Sequence, residues 1–353
     1  MNISQTSTQI NSKKKSTPSI KVVFLQRKPR KFGNFSVEFV FDSVRRNLPE
    51  DIEGLHHIVK YESIGFWNRL YITIEAAFNQ ADVNHVTGDV HFLTLFLKKR
   101  KTVLTFLDII FMKNPSKLAR MVLKFFWITL PVKKAAVIIT ISQATKDELL
   151  KHTSCDPDKI RVIYVPISND FVQVPKPFNK EKPVILQLGC APNKNIDRLI
   201  EAVKDIPCHL EIVGKLPEDL LQKLIDYHMS YHVSWNLSNA EIKQKYTQCD
   251  IVTLISTYEG FGMPIVEANA TGRVAISANV FSMPEAAGDA AHLVDPYDID
   301  AIREGFLKII EDDAYREDLI QKGLKNRERF TEEKIANDYC EQYREIASRQ
   351  LKS

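Results

Sequence analysis

Short β-branched runs alternate along this chain with segments whose apolar residues recur at the helical period. In the first half, Ile20–Gln26, Leu55–Tyr61, Val83–Thr87, Thr102–Asp108, Ala136–Ser142 and Arg161–Ile167 read as strands. Helical patterns fill Phe35–Asn47, Ile64–Asn79, Ser116–Thr129 and Gln143–His152. The second half repeats the scheme, with strands at Val184–Leu188, Leu210–Val213, Tyr231–Ser234, Asp250–Leu254, Val274–Ser277 and His292–Val294. Its helices include Ile196–Val203, Pro217–His228, Asn239–Cys249, Pro264–Thr271 and Asp298–Glu311. Such alternation predicts parallel sheets with helices on both faces. The fold class expected is α/β, as two doubly wound Rossmann-like domains over residues 20–175 and 180–331. Between them Val172–Pro183 has linker composition, with prolines at 175, 177 and 183. Residues 1–19, rich in Ser, Thr, Asn and Lys, are expected to form a disordered tail.

In an open parallel sheet, ligands bind beyond the carboxyl ends of the strands. The apolar run Ile251–Ser256 leads there into Tyr258-Glu259-Gly260-Phe261-Gly262-Met263-Pro264-Ile265-Val266-Glu267. Gly260 and Gly262 let the backbone turn sharply and approach a ligand without a Cβ in the way. Pro264 is placed as an N1 residue, opening a helix that closes at Gly272. A loop feeding a helix start offers free N–H groups and the positive end of a dipole, which suits a phosphate. Glu267, one turn into that helix, can accept from a diol such as a ribose, and Glu259 would face whatever hangs off the phosphate. A second strand end carries Gly189 and then Asn193-Lys194-Asn195, with Asn195 placed as an N-cap. Lys194 is a flexible point charge able to neutralise a diphosphate. On residues alone, ordinary surface glutamates and a solvated loop lysine fit the same pattern.

The segment Ile251–Asp295 resembles the donor-binding region of glycosyltransferase family 4, whose members carry two glutamates separated by seven residues. The likeness continues through Ser282-Met283-Pro284-Glu285-Ala286-Ala287-Gly288-Asp289 and Leu293-Val294-Asp295-Pro296. It extends back to Leu188–Asn195 and, more loosely, to His85-Val86-Thr87-Gly88-Asp89. The resemblance implies the GT-B fold, with two domains facing a cleft and a final helix over 332–353 crossing back onto the first domain. It implies a retaining transferase that moves a sugar from a nucleotide-sugar to a glycan or lipid-linked acceptor, in surface polysaccharide or glycolipid synthesis. Lys194 and Glu259 become the candidate catalytic residues. Gly33, Asn193, Lys194, Gly260, Phe261, Gly262, Met263, Pro264 and Glu267 become donor-binding candidates. His85, Asp89 and Asp108 are candidates for acceptor or sugar contacts, although His85 equally reads as a satisfied core histidine. No cofactor and no metal is expected.

Three positions depart from the family pattern. Cys190 stands where an arginine commonly follows the strand-end glycine, Asn193 stands before the lysine instead of arginine, and Leu107 stands where a histidine often precedes the aspartate of the fourth strand.

Charge adds a location. Residues 1–180 hold 28 Lys and Arg against 15 Asp and Glu, a net of +13, whereas the remainder is net −9. Between His91 and Lys134 ten basic residues face one acid, Asp108. A helix starting at Asn114-Pro115 would set Lys117, Arg120 and Lys124 on one face, beside Leu118, Met121, Val122, Phe125 and Phe126. That is either a membrane-surface helix drawn to acidic lipid or an ordinary amphipathic helix with its charged face in water. No nucleic-acid motif accompanies the charge. Five scattered cysteines without a CxxC pair, and no opening apolar signal-like run, lead to the expectation of a cytoplasmic protein, peripheral on the inner face of the membrane. Three rival readings remain: a nucleotide-sugar epimerase on the same fold, a non-catalytic partner subunit, and a membrane scaffold that uses only the basic patch.

Overall fold

The computed structural model describes residues 20–28, 36–113 and 116–351. Gly33, the tail over 1–19 and the helix start at Asn114-Pro115 lie outside the described residues. Twelve strands are described, all paired in parallel, in two six-stranded sheets. The first sheet holds β1 (Ile20–Gln26), β2 (Ile52–Ile58), β3 (Val83–Thr87), β4 (Thr102–Phe106), β5 (Val137–Thr140) and β6 (Ile160–Val162), in the order β2-β1-β3-β4-β5-β6. The second holds β7 (Val184–Leu188), β8 (His209–Val213), β9 (Ser230–Ser234), β10 (Ile251–Leu254), β11 (Val274–Ala278) and β12 (His292–Val294), in the order β12-β11-β10-β7-β8-β9. Around the first lie α1 (Ser36–Arg46), α2 (Phe66–Phe78), α3 (Lys117–Leu123), α4 (Leu130–Lys134) and α5 (Gln143–His152). Around the second lie α6 (Ile196–Val203), α7 (Glu218–Asp226), α8 (Asn239–Gln248), α9 (Met263–Thr271), α10 (Met283–Ala287), α11 (Ile299–Glu311) and α12 (Asp313–Asn326), and α13 (Glu332–Leu351) follows. Both sheets are doubly wound, the α/β architecture that the alternating pattern predicts.

The differences from the sequence reading have local causes. Strand β2 begins three residues before the expected Leu55, because it is an edge strand whose exposed residues carry no burial signal. The helix expected over Ser116–Thr129 is α3 followed by a wide π turn over Lys124–Thr129. Helix α12 was not anticipated: its buried positions are Arg316, Leu319, Gly323 and Asn326, so the apolar period is nearly silent. Gly323 is there for contact, since a Cβ would come within 2.7 Å of Asn269 Nδ2.

Helix α13 packs on the first sheet, after the chain has completed the second. Glu332 accepts from Ser43 Oγ at 2.7 Å and from the Asn169 backbone N–H at 3.1 Å. Farther along, Arg344 forms a bidentate pair with Asp51 at 2.7 and 2.8 Å. Tyr339, Tyr343 and Ile346 are buried against Phe24, Phe41 and His85.

His85 is fully buried, with Nδ1 2.8 Å from the Tyr343 hydroxyl and Nε2 2.8 Å from Thr105 Oγ1. This corrects its candidacy for sugar contact: both ring nitrogens are already used inside the core. Burial holds its pKa down at about 3 and that of His91 at about 4. Unfolded histidines take up a proton below about 6.5, whereas these stay neutral in the fold. The stability they permit is therefore present above pH 6.5 and lost as the pH falls towards 3 or 4. At pH 5 each costs about 2 kcal/mol. His85→Gln, which keeps a donor and an acceptor but does not titrate, is expected to remove about half of this acid loss. Denaturant midpoints at pH 7 and pH 5 check it; an unchanged difference would refute the assignment.

Candidate active site

The carboxyl ends of β7 and β10 define one side of a cleft between the two sheets. After β7, Gly189 takes a positive φ of 81° and the stem of Lys194 lies over it: a Cβ on Gly189 would sit 2.9 Å from Lys194 Cε. The following turn, Pro192–Lys194, ends at Asn195, which occupies the cap position of α6 in a left-handed conformation. Asn195 thus holds the expected N-cap position, although its side chain makes no cap bond. Instead Asn195 Nδ2 donates to the carbonyls of Ile255 and Pro296 at 3.1 and 2.6 Å, tying the two strand-end loops together. Asn193 does the same work, donating to the Tyr258 carbonyl at 2.9 Å and accepting from the Thr257 N–H at 2.8 Å.

Lys194 Nζ lies 2.7 Å from Glu259 Oε1, with both side chains 17% exposed. A salt bridge of this kind is partly shielded from water yet reachable from the cleft. Gly262 caps α9 at φ 118°, Met263 is its first residue and Pro264 its second, and Gly272 ends it at φ 71°. Pro264 thus stands one place later than expected, still where a helix lacks a partner for the missing N–H. Glu267 is largely enclosed, and the hydroxyl of the fully buried Tyr246 donates to its Oε2. Burial raises the Glu267 pKa, opposed by the Tyr246 hydrogen bond and by the charge of Lys194. Lys194, Glu259 and Glu267 therefore share one electrostatic neighbourhood at the start of α9.

The side chain of Phe261 turns away from this space into the core, where it meets Tyr164 and Phe330 at ring distances of 5.7 and 5.3 Å. What Phe261 can offer a donor is therefore its backbone amide, in keeping with the expected role of the amides after Glu259. Across the cleft, β4 is followed by Leu107 and Asp108. A Cβ on Gly260 would come within 2.4 Å of the Leu107 carbonyl, so the two domains touch through backbone at this point. Asp108 accepts from the Ile110 N–H at 3.0 Å, and burial, then the charges of Asp89 and Glu259, raise its pKa. Asp89 also pairs with Arg27 at 3.3 Å. Asp89 and Asp108 thus bring two carboxylates of the first domain into the electrostatic reach of one another, and Asp108 into that of Glu259. Cys190 lends no charge: burial lifts its thiol to about 11.

Several polar groups here lie outside the sequence candidates. Tyr246 stands behind Glu267, Ser142, Thr145 and Ser282 hold the Glu259–Gly262 loop, and Glu285 meets the start of α5. A serine directly after a buried strand is a recognisable cap signal, which marks Ser142. Nothing in the periodicity marks Tyr246. Among the described residues no cluster of three or more His, Cys, Asp and Glu is placed to hold a metal ion.

Two doubly wound domains that meet at the carboxyl ends of their strands, with a lysine, two glutamates and a helix start at the seam, define a GT-B protein. The first half matches the family model described as Glycosyltransferase Family 4 over residues 29–171, and the second matches Glycosyl transferases group 1 over residues 169–326. The two matches lie end to end over residues 29–326, so the chain resembles glycosyltransferases of this type along most of its length. It is 26% identical over 235 residues to the O-antigen chain mannosyltransferase B of Escherichia coli, covering 60% of this chain and 61% of that protein. It is 24% identical over 223 residues to the serotype-specific mannosyltransferase WbdA of the same species, covering 56% of this chain and 27% of that protein. The alignments thus span less than two thirds of either relative. Among solved structures, Anabaena Alr3699/HepE in complex with UDP and glucose superposes with a TM-score of 0.74 at 17% identity, covering 92% of this chain and 99% of that one.

Proposed function

We propose that this chain transfers a sugar from a nucleoside-diphosphate sugar to a hydroxyl of a glycan or lipid-linked acceptor, with retention at the anomeric carbon, in surface polysaccharide assembly. The observation that carries the reading is the Lys194–Glu259 pair at 2.7 Å beside Glu267 and the start of α9. Departure of a nucleoside diphosphate develops negative charge, which preorganised backbone donors and Lys194 offset. Glu267 accepts from the ribose diol, and Glu259 with the amides after it addresses the transferred sugar. The acceptor hydroxyl then attacks on the face that the leaving group vacates, and the departing phosphate takes its proton. The proposal assigns no step to a metal ion. The O-antigen mannosyltransferases among its relatives make mannose the first donor sugar to try.

Incubation with a panel of nucleotide sugars, first alone and then with glycan acceptors, tests this. Nucleoside diphosphate release that requires acceptor, with the donor's anomeric configuration retained by NMR, is the expected result. Isomerised donor without acceptor would establish an epimerase instead, and donor binding with turnover only beside another protein would establish a partner subunit.

The membrane-facing reading draws support from the first domain's surface. Helix α3 buries none of its residues, and Leu118 and Met121 are 67% and 63% exposed beside Lys117, Arg120 and Lys124. An ordinary packed amphipathic helix would cover those apolar groups. A second apolar stripe runs along α2, where Phe66, Trp67, Tyr71, Ile74 and Phe78 are all exposed. The Arg69 guanidinium sits 5.0 Å from the Trp127 ring and links α2 to the π turn that follows α3. Aromatic and aliphatic groups ringed by lysines suit an acidic lipid interface. No helix among the described residues is long and apolar enough to cross a membrane. Each basic residue near an anionic surface is worth about 1 kcal/mol, so changing Lys117, Arg120 and Lys124 to glutamate should release the protein from acidic vesicles. Wild type that fails to sediment with acidic vesicles at low salt would overturn this part of the proposal.

A further inference from the structure

The loop that carries Glu259 is held from both domains at once. On its own domain's side, Ser282 Oγ donates to the Glu259 carbonyl at 2.9 Å. From the other domain, Ser142 Oγ donates to the Gly260 carbonyl at 2.9 Å, and Thr145 Oγ1 lies 3.3 Å from the same oxygen. Ser142 is also the N-cap of α5, with its Oγ accepting from the Thr145 N–H at 3.0 Å. The remaining amides of that helix end are met from across the cleft. Glu285 on α10 takes the Gln143 N–H at 2.8 Å from each carboxylate oxygen, with the Ala144 N–H at 3.4 Å from Oε2. These are charge-assisted bonds at the positive end of a helix dipole, the favourable sign for a carboxylate. Arg329 steadies the bearing helix by donating to the Glu285 carbonyl at 3.2 Å, while its guanidinium lies 5.4 Å from the Tyr164 ring. One short segment, Ser282–Glu285, therefore grips the Glu259 loop at one end and the first domain at the other.

We propose that Glu285 is a positioning residue through which closure of the two domains sets the conformation of the Glu259–Gly262 loop. The bonds from Glu285 to α5 and from Ser142 to Gly260 exist only while the domains are together, and separating the domains breaks both sets. The loop then keeps Ser282 alone as its side-chain anchor on the carbonyl side. Closure thus brings the acceptor-side domain up and orders the backbone that carries Glu259 in one event. The inference rests on the reading that this loop receives the donor sugar.

The test compares Glu285→Ala, Glu285→Gln and Ser142→Ala with wild type. Glu285→Ala is expected to lower kcat about tenfold, with calorimetric affinity for the nucleoside diphosphate within about twofold of wild type. Glu285→Gln retains an acceptor oxygen without the charge and should recover part of that rate, and it carries the test if the alanine variant folds poorly. Hydrogen exchange on the protein alone gives a second readout. Amides 143–145 and 258–262 should exchange faster together in Glu285→Ala, and 258–262 faster in Ser142→Ala. Unaltered exchange at 258–262 in all three variants would overturn the proposal, as would an unchanged kcat. A fall in kcat matched by equal losses in nucleotide affinity and melting temperature would also overturn it, because that describes interface packing only. Coupled exchange in a protein without transferase activity would leave the positioning role standing and the proposed reaction rejected.

Discussion

Replacing Lys194 with alanine is expected to slow sugar transfer by about 10²–10³-fold, the loss seen when one preorganised group facing a developing anion is removed. Lys194 is fixed over Gly189 by the left-handed turn at Asn195, so its ammonium reaches the cleft without a conformational search. Cys190, next to the strand-end glycine, carries no charge to share the task. The substitution also strands Glu259, which loses its 2.7 Å partner. Arginine is not expected to restore the rate, because its planar fork needs room that a compact ammonium does not. Single-turnover measurement at saturating donor checks this, and a loss below about threefold would remove Lys194 from the chemistry.

Glu267→Ala is expected to weaken donor binding by roughly one to two orders of magnitude, since hydrogen bonds to a charged acceptor are worth about 1.5–3 kcal/mol. The structure adds a second consequence. The Tyr246 hydroxyl donates to Glu267 from a fully buried position, and alanine leaves it unpaired, at a further cost of about 1–3 kcal/mol in stability. Glu267→Gln separates the two effects: the amide oxygen still accepts from Tyr246, while the ribose loses the charged partner. Melting temperature should then stay near wild type as affinity falls about tenfold. Glu259→Gln should spare nucleotide binding and reduce transfer. Calorimetry with nucleoside diphosphate alone decides the matter; unchanged affinity in both Glu267 variants would end the ribose assignment.

Much of the architecture was legible because parallel strands buried on both faces announce themselves as continuous β-branched runs. Ile20–Gln26, Val83–Thr87 and Val184–Leu188 match their expected bounds for that reason. The loop chemistry was legible where glycine forced it, at Gly262 and Gly272, whose positive φ values other residues resist. What stayed hidden lacks a local signature. Nothing near His85 in sequence foretells that Tyr343 will reach its ring, and the inward turn of Phe261 follows from packing by Tyr164 and Phe330. Helix α12 was hidden by its own polar burial, and the Glu285 contact with α5 joins residues that share no motif.

The seat of α13 on the first sheet has a consequence for how the molecule is made. Tyr343 closes over His85 from 258 residues farther along the chain. A ribosome therefore releases β1 to β5 long before the wall that seals them exists. Because domains usually fold as units during synthesis, first domain first, this one waits with Phe24, Phe41 and His85 uncovered until Glu332–Leu351 has been made. Its nascent form exposes apolar surface of the kind that chaperones hold, and a stop codon just ahead of Glu332 would leave the first domain without that wall.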